Sequence, residues 1–546
     1  MTAKRLPGFD LDQAMAAPGF TPRAADVPAL VARLAQGGEA AEKAEKALLR
    51  VARLAAEETA RQIEGASREA KPRLLRFAGK VASREHGEVL VPALIAALGS
   101  ENEPGRRAAA TALGKLCLTV DDGSLADTRA DALVAALGRE GETPARRAMI
   151  EALGKVGGAR AIPVLGRVAE QAGAGAPAEK ARLIATRTAA RTEPSKVDPG
   201  RAPPAPLRVA LRCRAGLEEL MASELPKSFQ PRLLRDALGG TRVEATLDGP
   251  IEGLFRSRLM LSFGFVLPPI RMKNEDDLPG AIARSLTSKE ALGLLRGLTE
   301  GPIRYRLGWA SGGKRRAAIW KAAAEVAAIE PALINDPTES PWEATVAEAD
   351  GMVRVELSPK LDDPRFAYRV GDVPAASHPT IAAALCRVAG ARAGDVVWDP
   401  FVGSGLELCE RALGGPYRLL IGSDRDPEAL RVAAKNLASA KVPEDKIRLL
   451  PGDATTMVPP ARPSLIITNP PLGRRVSRSA ELAPMLDRFI ANAAKNLSPG
   501  GRLVWIAPFP DQSDKVARRA GLEAYVGLDV DLGGFSARLQ AFRKPG

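Results

Sequence analysis

Asp399-Pro-Phe-Val-Gly-Ser-Gly405 follows directly on the apolar residues Val396, Val397 and Trp398 and leads into a helical pattern over 406–413. A strand that ends in a small-residue turn and then a helix presents backbone N–H groups where a ligand's polar groups can be held. Gly403 and Gly405 permit close approach or a positive φ, and Ser404 adds a hydroxyl without bulk. The lysine and Ser/Thr ending of a phosphate loop are missing. The stretch is expected to be a cofactor cradle; taken alone it is also compatible with an ordinary tight turn. The order of the signals that follow separates the two.

From about Pro374 to the end of the chain, apolar runs at Val396–Trp398, Leu419–Gly422, Leu465–Thr468 and Leu503–Ala507 alternate with helical patterns. Such alternation predicts a doubly wound, Rossmann-like α/β sheet over 374–546, whose ligands bind beyond the carboxyl ends of the strands. The second run ends in Ser423-Asp424-Arg425-Asp426, and Asp424 is placed to accept from a ribose diol. Gly452-Asp453-Ala454 offers a second carboxylate, suited to an adenine amino group. Either acid alone is as well read as a cap or turn residue; the ordered set is not.

The fourth strand ends in Asn469-Pro470-Pro471-Leu472-Gly473. An exocyclic amine on a base is a poor nucleophile because its lone pair is delocalised into the ring. The Asn469 side-chain oxygen and the Pro470 carbonyl can each accept one of its N–H bonds, and two prolines hold those acceptors rigid. Catalysis would then come from positioning and electrostatics, with no strong base.

Together Asp399 to Gly405, Asp424, Gly452-Asp453 and Asn469 to Leu472 resemble the motifs of S-adenosylmethionine-dependent methyltransferases. Their order is most similar to the THUMP-containing family that makes N2-methylguanosine in tRNA or ribosomal RNA. Ser377-His378-Pro379-Thr380 resembles the family segment that helps enclose the cofactor. By that resemblance, Asp399, Pro400, Phe401, Gly403, Ser404 and Gly405 border the methionine part of S-adenosylmethionine, with His378 and Thr380 closing over it. Asp424 and Arg425 meet its ribose, Asp453 and Ala454 its adenine, and Asn469, Pro470, Pro471 and Leu472 the target base. Where the family usually carries an aromatic ring to stack on a flipped-out base, this chain has Leu472, which supplies apolar contact alone.

Toward the N-terminus, Leu94-Ile-Ala-Ala-Leu-Gly99 recurs as Leu133-Val-Ala-Ala-Leu-Gly138, and Pro104-Gly-Arg-Arg-Ala108 as Pro144-Ala-Arg-Arg-Ala148. The offsets approach the period of about 40 residues typical of helix-pair repeats. A third echo, Gly79-Lys-Val81, Gly114-Lys-Leu116 and Gly154-Lys-Val156, is expected to mark a helix end in each unit. This region, 1–192, resembles HEAT repeats and predicts a short α-solenoid. The pairs Arg106-Arg107 and Arg146-Arg147 could contact phosphates or simply cover a solvated face, and the repeats could also hold a protein partner.

Residues 193–206 are Pro-rich and read as a semi-rigid spacer. Strand-like and helical runs mix over 207–373, which predicts a compact α+β region. Cys213 to Glu219 and Ile334 to Glu343 resemble the ferredoxin-like and THUMP segments that precede the catalytic domain in that family. Arg304, Arg306, Lys314, Arg315, Arg316 and Lys321 surround Trp309 and Trp320; the rings are expected in the core and the cations on RNA.

The 546-residue chain carries a net charge of +13, which favours a polyanionic partner such as structured RNA. Its four cysteines (Cys117, Cys213, Cys386, Cys409) and two histidines (His86, His378) are scattered, against a metal site or disulfide framework, and His86 reads as a surface residue. The stretch from Met1 to Asp10 lacks a signal-peptide core and no run of about 18 apolar residues exists, so no membrane is expected and the chain reads as cytoplasmic. The expected activity is methylation of guanine N2 in tRNA or rRNA. Adenine-N6 methylation of RNA or DNA is the alternative chemistry, and a non-catalytic RNA-binding scaffold the alternative class.

Overall fold

The computed structural model describes residues 10–17, 19–82, 88–116, 123–171, 175–235, 241–313, 315–374, 376–472 and 479–546. His86, Cys117, Lys314, Gly473 and all but the last residue of the Met1 to Asp10 stretch lie outside the described residues.

The N-terminal region is helical, and its later part consists of the pairs Val91–Ala97 with Glu103–Leu113, Gly123–Arg139 with Pro144–Val156, and Gly158–Ala169 with Gly175–Ala190. The second helices of the first two pairs start where the sequence provides a cap: Asn102 Oδ1 accepts from Gly105 N at 2.7 Å and Thr143 Oγ1 from Arg146 N at 3.2 Å. A proline opens each of these helices, where a missing N–H costs nothing. The echoed apolar residues Leu94, Ala97, Leu98, Leu133, Ala136 and Leu137 are buried in one continuous core, because each pair covers its stripe only by stacking on the next.

The glycine echo falls at the helix ends as expected: Gly79 to Val81 lie in the last turn of Lys71–Ala82, Gly114 caps Glu103–Leu113, and Gly154 to Val156 close Pro144–Val156. A Cβ on Gly79 would stand 3.2 Å from Ala112 Cα, one on Gly114 2.9 Å from Ala152 Cα, and one on Gly154 2.8 Å from Ala181 Cα. The period therefore records the point where the next unit's backbone crosses. The arginine pairs also divide. Arg106 holds Glu140 through two hydrogen bonds and also donates to the Ser100 and Glu101 carbonyls, while Arg146 donates to the Leu137 and Glu140 carbonyls and to Gln171. These two staple neighbouring units. Arg107 and Arg147 instead border an open groove of about 760 Å³ that Glu142 and Glu151 also line.

The 193–206 segment is held against the middle region. Lys196–Val197 pairs antiparallel with Thr299–Glu300, and Ser195 Oγ donates to the Pro302 carbonyl at 2.6 Å. Just before it, Arg191 holds Asp336 through bonds of 2.7 and 2.6 Å, while Arg187 Nε donates to the Asn335 carbonyl. Asp336 is fully buried; burial opposes its ionisation, yet Arg191 and the Thr338 and Glu339 N–H groups bring its carboxyl down to about 2. Since this lies below the unfolded value of about 3.8, the pair's contribution is present above that pH and lost as pH falls toward 2. Asp336→Ala is expected to cost about 2 kcal/mol at pH 7, below the usual figure for a buried pair because Arg191 keeps some solvent contact. The urea midpoint of the full chain checks it, and an unchanged midpoint would show that the clamp contributes nothing.

The middle region is α+β. One sheet runs through Arg232–Arg235, Thr241–Leu247, Leu207–Arg212, Ser262–Val266, Met352–Pro359, Trp342–Ala349, Ile303–Trp309 and Leu333–Asn335, with Ile270–Arg271 added on Met352–Pro359. Helices Leu278–Leu286, Lys289–Leu298 and Arg316–Ile329 accompany the later strands. The expected cation cluster is altered: Arg304 is buried, Arg315 pairs with Glu348 and covers the Trp309 ring, and Arg306 lies 3.8 Å from Glu343. Both tryptophans are half-buried; Trp309 packs on the core, whereas Trp320 sits against Lys180 and Arg187 of the last repeat helix.

The C-terminal domain contains β1 (Val396–Asp399), β2 (Leu419–Asp424), β3 (Ile447–Pro451), β4 (Leu465–Thr468), β5 (Arg502–Ala507), β6 (Glu523–Asp531) and β7 (Ser536–Arg543). Its helices are α1 (Pro379–Ala389), α2 (Leu406–Leu413), α3 (Pro427–Ser439), α4 (Ser479–Asn496) and α5 (Pro510–Arg519). The strand order is β3-β2-β1-β4-β5-β7-β6, parallel up to β5, with β7 antiparallel to both neighbours. Chain order reverses between β1 and β4, and that switch point is where a doubly wound sheet opens a crevice. Alternate β1 residues enter opposite cores, Val397 on one face and Val396 and Trp398 on the other. The Val397 core is continuous with the middle region, where Arg258 grips the buried Glu410 of α2 at 2.5 and 2.8 Å and Tyr368 donates to the same carboxylate.

Candidate active site

Asp399 ends β1 with no solvent exposure. Its Oδ1 accepts from Thr468 Oγ1 at 2.6 Å and from Phe401 N at 3.1 Å, so the ends of β1 and β4 are tied across the switch point. Its Oδ2 is buried with no partner among the described residues. The turn then needs two left-handed residues, Gly403 at φ 49° and Gly405 at φ 79°. A Cβ at Gly405 would also stand 3.0 Å from Ala433 Cβ of α3. Pro400 and Ser404 are buried and Phe401 packs edge-on against Phe489, with centroids 5.2 Å apart.

Four of the turn's amides are spent within the fold. Phe401 N goes to Asp399, Val402 N to the Ser423 carbonyl, Gly403 N to Asp424 Oδ2 at 2.9 Å and Gly405 N to the Val402 carbonyl. Asp424 spends its other oxygen on Asp426 N at 3.0 Å. The acid after β2 thus fixes the glycine turn, retaining only its remaining lone pairs for anything else. The buried Asp399 carboxyl beside this turn suits a ligand with cationic character.

Asp453 accepts from Thr455 N at 2.8 Å and Thr455 Oγ1 at 2.7 Å, which hold its carboxyl below the usual range, and its Oδ2 lies 3.7 Å from the exposed Arg425. The buried Ala454 offers its carbonyl to Asn492. His378 caps α1: its Nδ1 accepts from Thr380 N and meets Thr380 Oγ1 at 2.8 Å. Lost solvation, with Arg214, Arg369 and Arg365 nearby, brings its ring down to about 4, so it is neutral at pH 7. Its ring nitrogen and the buried Thr380 are thereby engaged with each other at the helix start.

Asn469 follows β4. Its Nδ2 donates to Ser377 Oγ at 2.8 Å, and Ser377 Oγ donates to Glu407 Oε1 at 2.5 Å. Asn469 Oδ1 is buried and has no partner among the described residues. Pro470 is buried, and Pro471 and Leu472 are half-buried, with Leu472 packed on the core. Burial raises both Asp399 and Glu407, Glu407 to about 7, and the charge of Glu407 raises Asp399 further. Two unspent acceptors, Asp399 Oδ2 and Asn469 Oδ1, thus sit at the ends of the neighbouring strands β1 and β4 at the switch point. Buried acceptors without partners are uncommon and call for an occupant. Residues 367–537 match the family described as RMKL-like, methyltransferase domain.

The C-terminal domain has a methyltransferase fold. Residues 91–176 match HEAT repeats, in agreement with the helix pairs. Over 136 residues the chain is 29% identical to a tRNA (guanine(10)-N2)-dimethyltransferase of Methanothermobacter thermautotrophicus, covering 25% of this chain and 39% of the relative. Over 135 residues it is 35% identical to a tRNA (guanine(6)-N2)-methyltransferase of Thermus thermophilus, covering 24% of this chain and 39% of the relative. The chain thus spans about two fifths of the length of these curated relatives. The crystal structure of TrmN from Thermus thermophilus superposes with a TM-score of 0.50 at 22% identity, covering 62% of this chain and 99% of that one. The methyltransferase domain therefore shares its fold, together with the region before it, with that structure.

The sequence marks Ser377 only as part of the segment expected to help enclose the cofactor, and Thr468 only as the end of an apolar run; it assigns no hydrogen-bonding role to these or to Glu407. Glu407 did carry a signal, a lone acid between Leu406 and Leu408 in an apolar helix start. Among the described residues no group of His, Cys, Asp and Glu could hold a metal, and no helix is long and apolar enough to cross a membrane.

Proposed function

We propose that the chain transfers a methyl group from S-adenosylmethionine to an exocyclic base amine, guanine N2 of tRNA. The observation that carries this reading is the buried, unpartnered Asn469 Oδ1, with Nδ2 anchored on Ser377. An amine N–H can be received there, and the rigid Pro470-Pro471 backbone adds a carbonyl beside it. With both N–H bonds directed, the lone pair is aimed, and in-line geometry supplies much of the rate.

The donor set fits the cofactor. Asp399 Oδ2 is a buried acceptor for a cationic amino group, and a Cβ at Gly403 would lie in van der Waals contact with the Phe401 carbonyl and Val373, at 3.8 and 3.9 Å. Asp424 and Asp453 offer acceptors to the ribose and adenine, with Ser404, Gly405, Phe401, Pro400, Arg425, Ala454, His378 and Thr380 forming the walls. The cofactor supplies a methyl group already activated on sulfur. No base is required: the amine proton leaves after transfer, when the nitrogen is acidic.

Guanine N2 of tRNA is favoured over adenine N6 by the two guanine-N2 tRNA methyltransferases to which the domain is similar. The middle region would be the ferredoxin-like and THUMP-like module that delivers the RNA, the net charge of +13 assisting phosphate contact. The test compares modified nucleosides in tRNA and rRNA from cells with and without the gene. Loss of N2-methylguanosine from tRNA is the expected result. Loss of N6-methyladenosine with N2-methylguanosine intact would replace the substrate.

A further inference from the structure

We propose that Glu407 and Ser377 are positioning residues that decide which end of the Asn469 amide faces the target amine, an inference that rests on the methyl transfer proposed above. A carboxamide has an acceptor end and a donor end, and a half-turn exchanges them. Only the acceptor end is productive toward an amine, which brings N–H donors.

Ser377 has one hydroxyl hydrogen and stands between Glu407 Oε1 at 2.5 Å and Asn469 Nδ2 at 2.8 Å. An ionised Glu407 can only accept, so the Ser377 hydrogen is committed to it and the Ser377 oxygen must receive an Asn469 N–H. That leaves Asn469 Oδ1 turned toward the crevice, unpartnered and buried. A protonated Glu407 can donate to Ser377 instead. The Ser377 hydrogen then turns to Asn469, whose amide satisfies it by presenting Oδ1 to Ser377 and Nδ2 to the crevice, donor against donor. One proton on Glu407 therefore inverts the chain's direction. Whether Asn469 is an acceptor depends on a residue two side chains away.

The surroundings make that proton available near neutrality. Glu407 is buried on the inner face of α2, with Asp399 facing it from β1, Glu410 one turn along its own helix, and Cys386 of α1 donating to its backbone carbonyl at 3.5 Å. Ser377 is the polar partner from the segment before α1, and Asp424 adds negative charge behind Asp399. Burial first, and then the Glu410 charge, raise Glu407 to about 7. Since the ionised fraction shrinks as pH falls through that value, activity should rise through pH 7 and level off above it.

The experiment follows kcat/KM from pH 6 to 8.5 for the full-length chain, with tritiated S-adenosylmethionine and bulk tRNA from cells lacking the gene. The unaltered chain is expected to show an acid limb near pH 7. Glu407→Gln keeps the shape but cannot ionise, so its profile should be flat and about tenfold below the wild-type plateau, the size of one misdirected hydrogen bond. Ser377→Ala should lose a similar factor together with the acid limb, and Ser377→Thr, which keeps the hydroxyl, should recover it. S-adenosylhomocysteine affinity at pH 8 should stay within about twofold in all three, which a merely structural loss would not do. Glu407→Gln with the wild-type plateau and acid limb, or Ser377→Ala at the wild-type rate, would overturn the proposal while leaving methyl transfer standing. A wild-type chain that binds the cofactor yet methylates no tRNA would instead overturn the reaction on which the proposal rests. Should Glu407→Gln fail to fold, the two Ser377 variants decide.

Discussion

Asn469→Ala is expected to lower the methyl-transfer rate by about 100- to 1,000-fold while S-adenosylhomocysteine affinity changes by less than about twofold. The size follows from what the side chain does. Asn469 Oδ1 is an acceptor held in place before substrate arrives, by Ser377 on one side and Pro470 on the other. An aromatic amine gains nucleophilicity only as its nitrogen pyramidalises, and a fixed acceptor on its N–H stabilises that geometry more than the flat ground state. Alanine removes the acceptor, which raises the barrier without touching the cradle around Gly403 and Asp424. The split between kcat and cofactor affinity is the measurement that matters. Equal losses in both would place Asn469 in cofactor binding and remove the basis for amine activation.

Much of this site was legible because it lies at strand ends. Val396–Trp398, Leu419–Gly422, Leu465–Thr468 and Leu503–Ala507 are central strands, buried on both faces, and their continuous apolar runs announced them. The strand Ile447–Pro451 sits at the sheet edge with half-exposed residues, and Glu523–Asp531 is a largely exposed edge pairing only with β7, so neither is buried on both faces as the central strands are. The same holds in the middle region for Arg232–Arg235 and Leu333–Asn335. Glycine letters told that the turn was tight, but not that Asp424 and Ser423 had already taken two of its amides. Repetition likewise showed that Arg106 and Arg146 were equivalent, and indeed they are, as staples between units. Contacts such as Glu407 to Ser377 join residues 30 apart through folding alone, with no local pattern to betray them.

The largest loss of stability is expected from Asp395→Ala, at about 3 to 5 kcal/mol. Asp395 immediately precedes β1 and is 1% exposed. Its carboxylate receives Arg411 Nη2 at 2.8 Å, Arg502 Nη2 at 2.7 and 2.8 Å, Ser464 Oγ at 2.9 Å and Arg392 N at 3.1 Å. These donors come from α2, β5, the approach to β4 and the turn before β1, so one side chain fastens the lower ends of three central strands. Both guanidiniums are themselves buried, at 1% and 4% side-chain exposure. Alanine would leave two desolvated cations without an anion, and that uncompensated charge, more than the lost attraction, sets the magnitude. Although burial opposes it, Arg411 and Arg502 hold the carboxyl below the ordinary Asp range. The contribution is therefore present above pH of about 4 and lost as pH falls below the depressed value. Urea unfolding of the full chain at pH 7 measures the loss. The triple change Asp395→Ala, Arg411→Met, Arg502→Met should recover part of it by removing the stranded charges. A loss under about 1 kcal/mol for Asp395→Ala alone would mean that water reaches Arg411 and Arg502 and the carboxylate is not the anchor of β1.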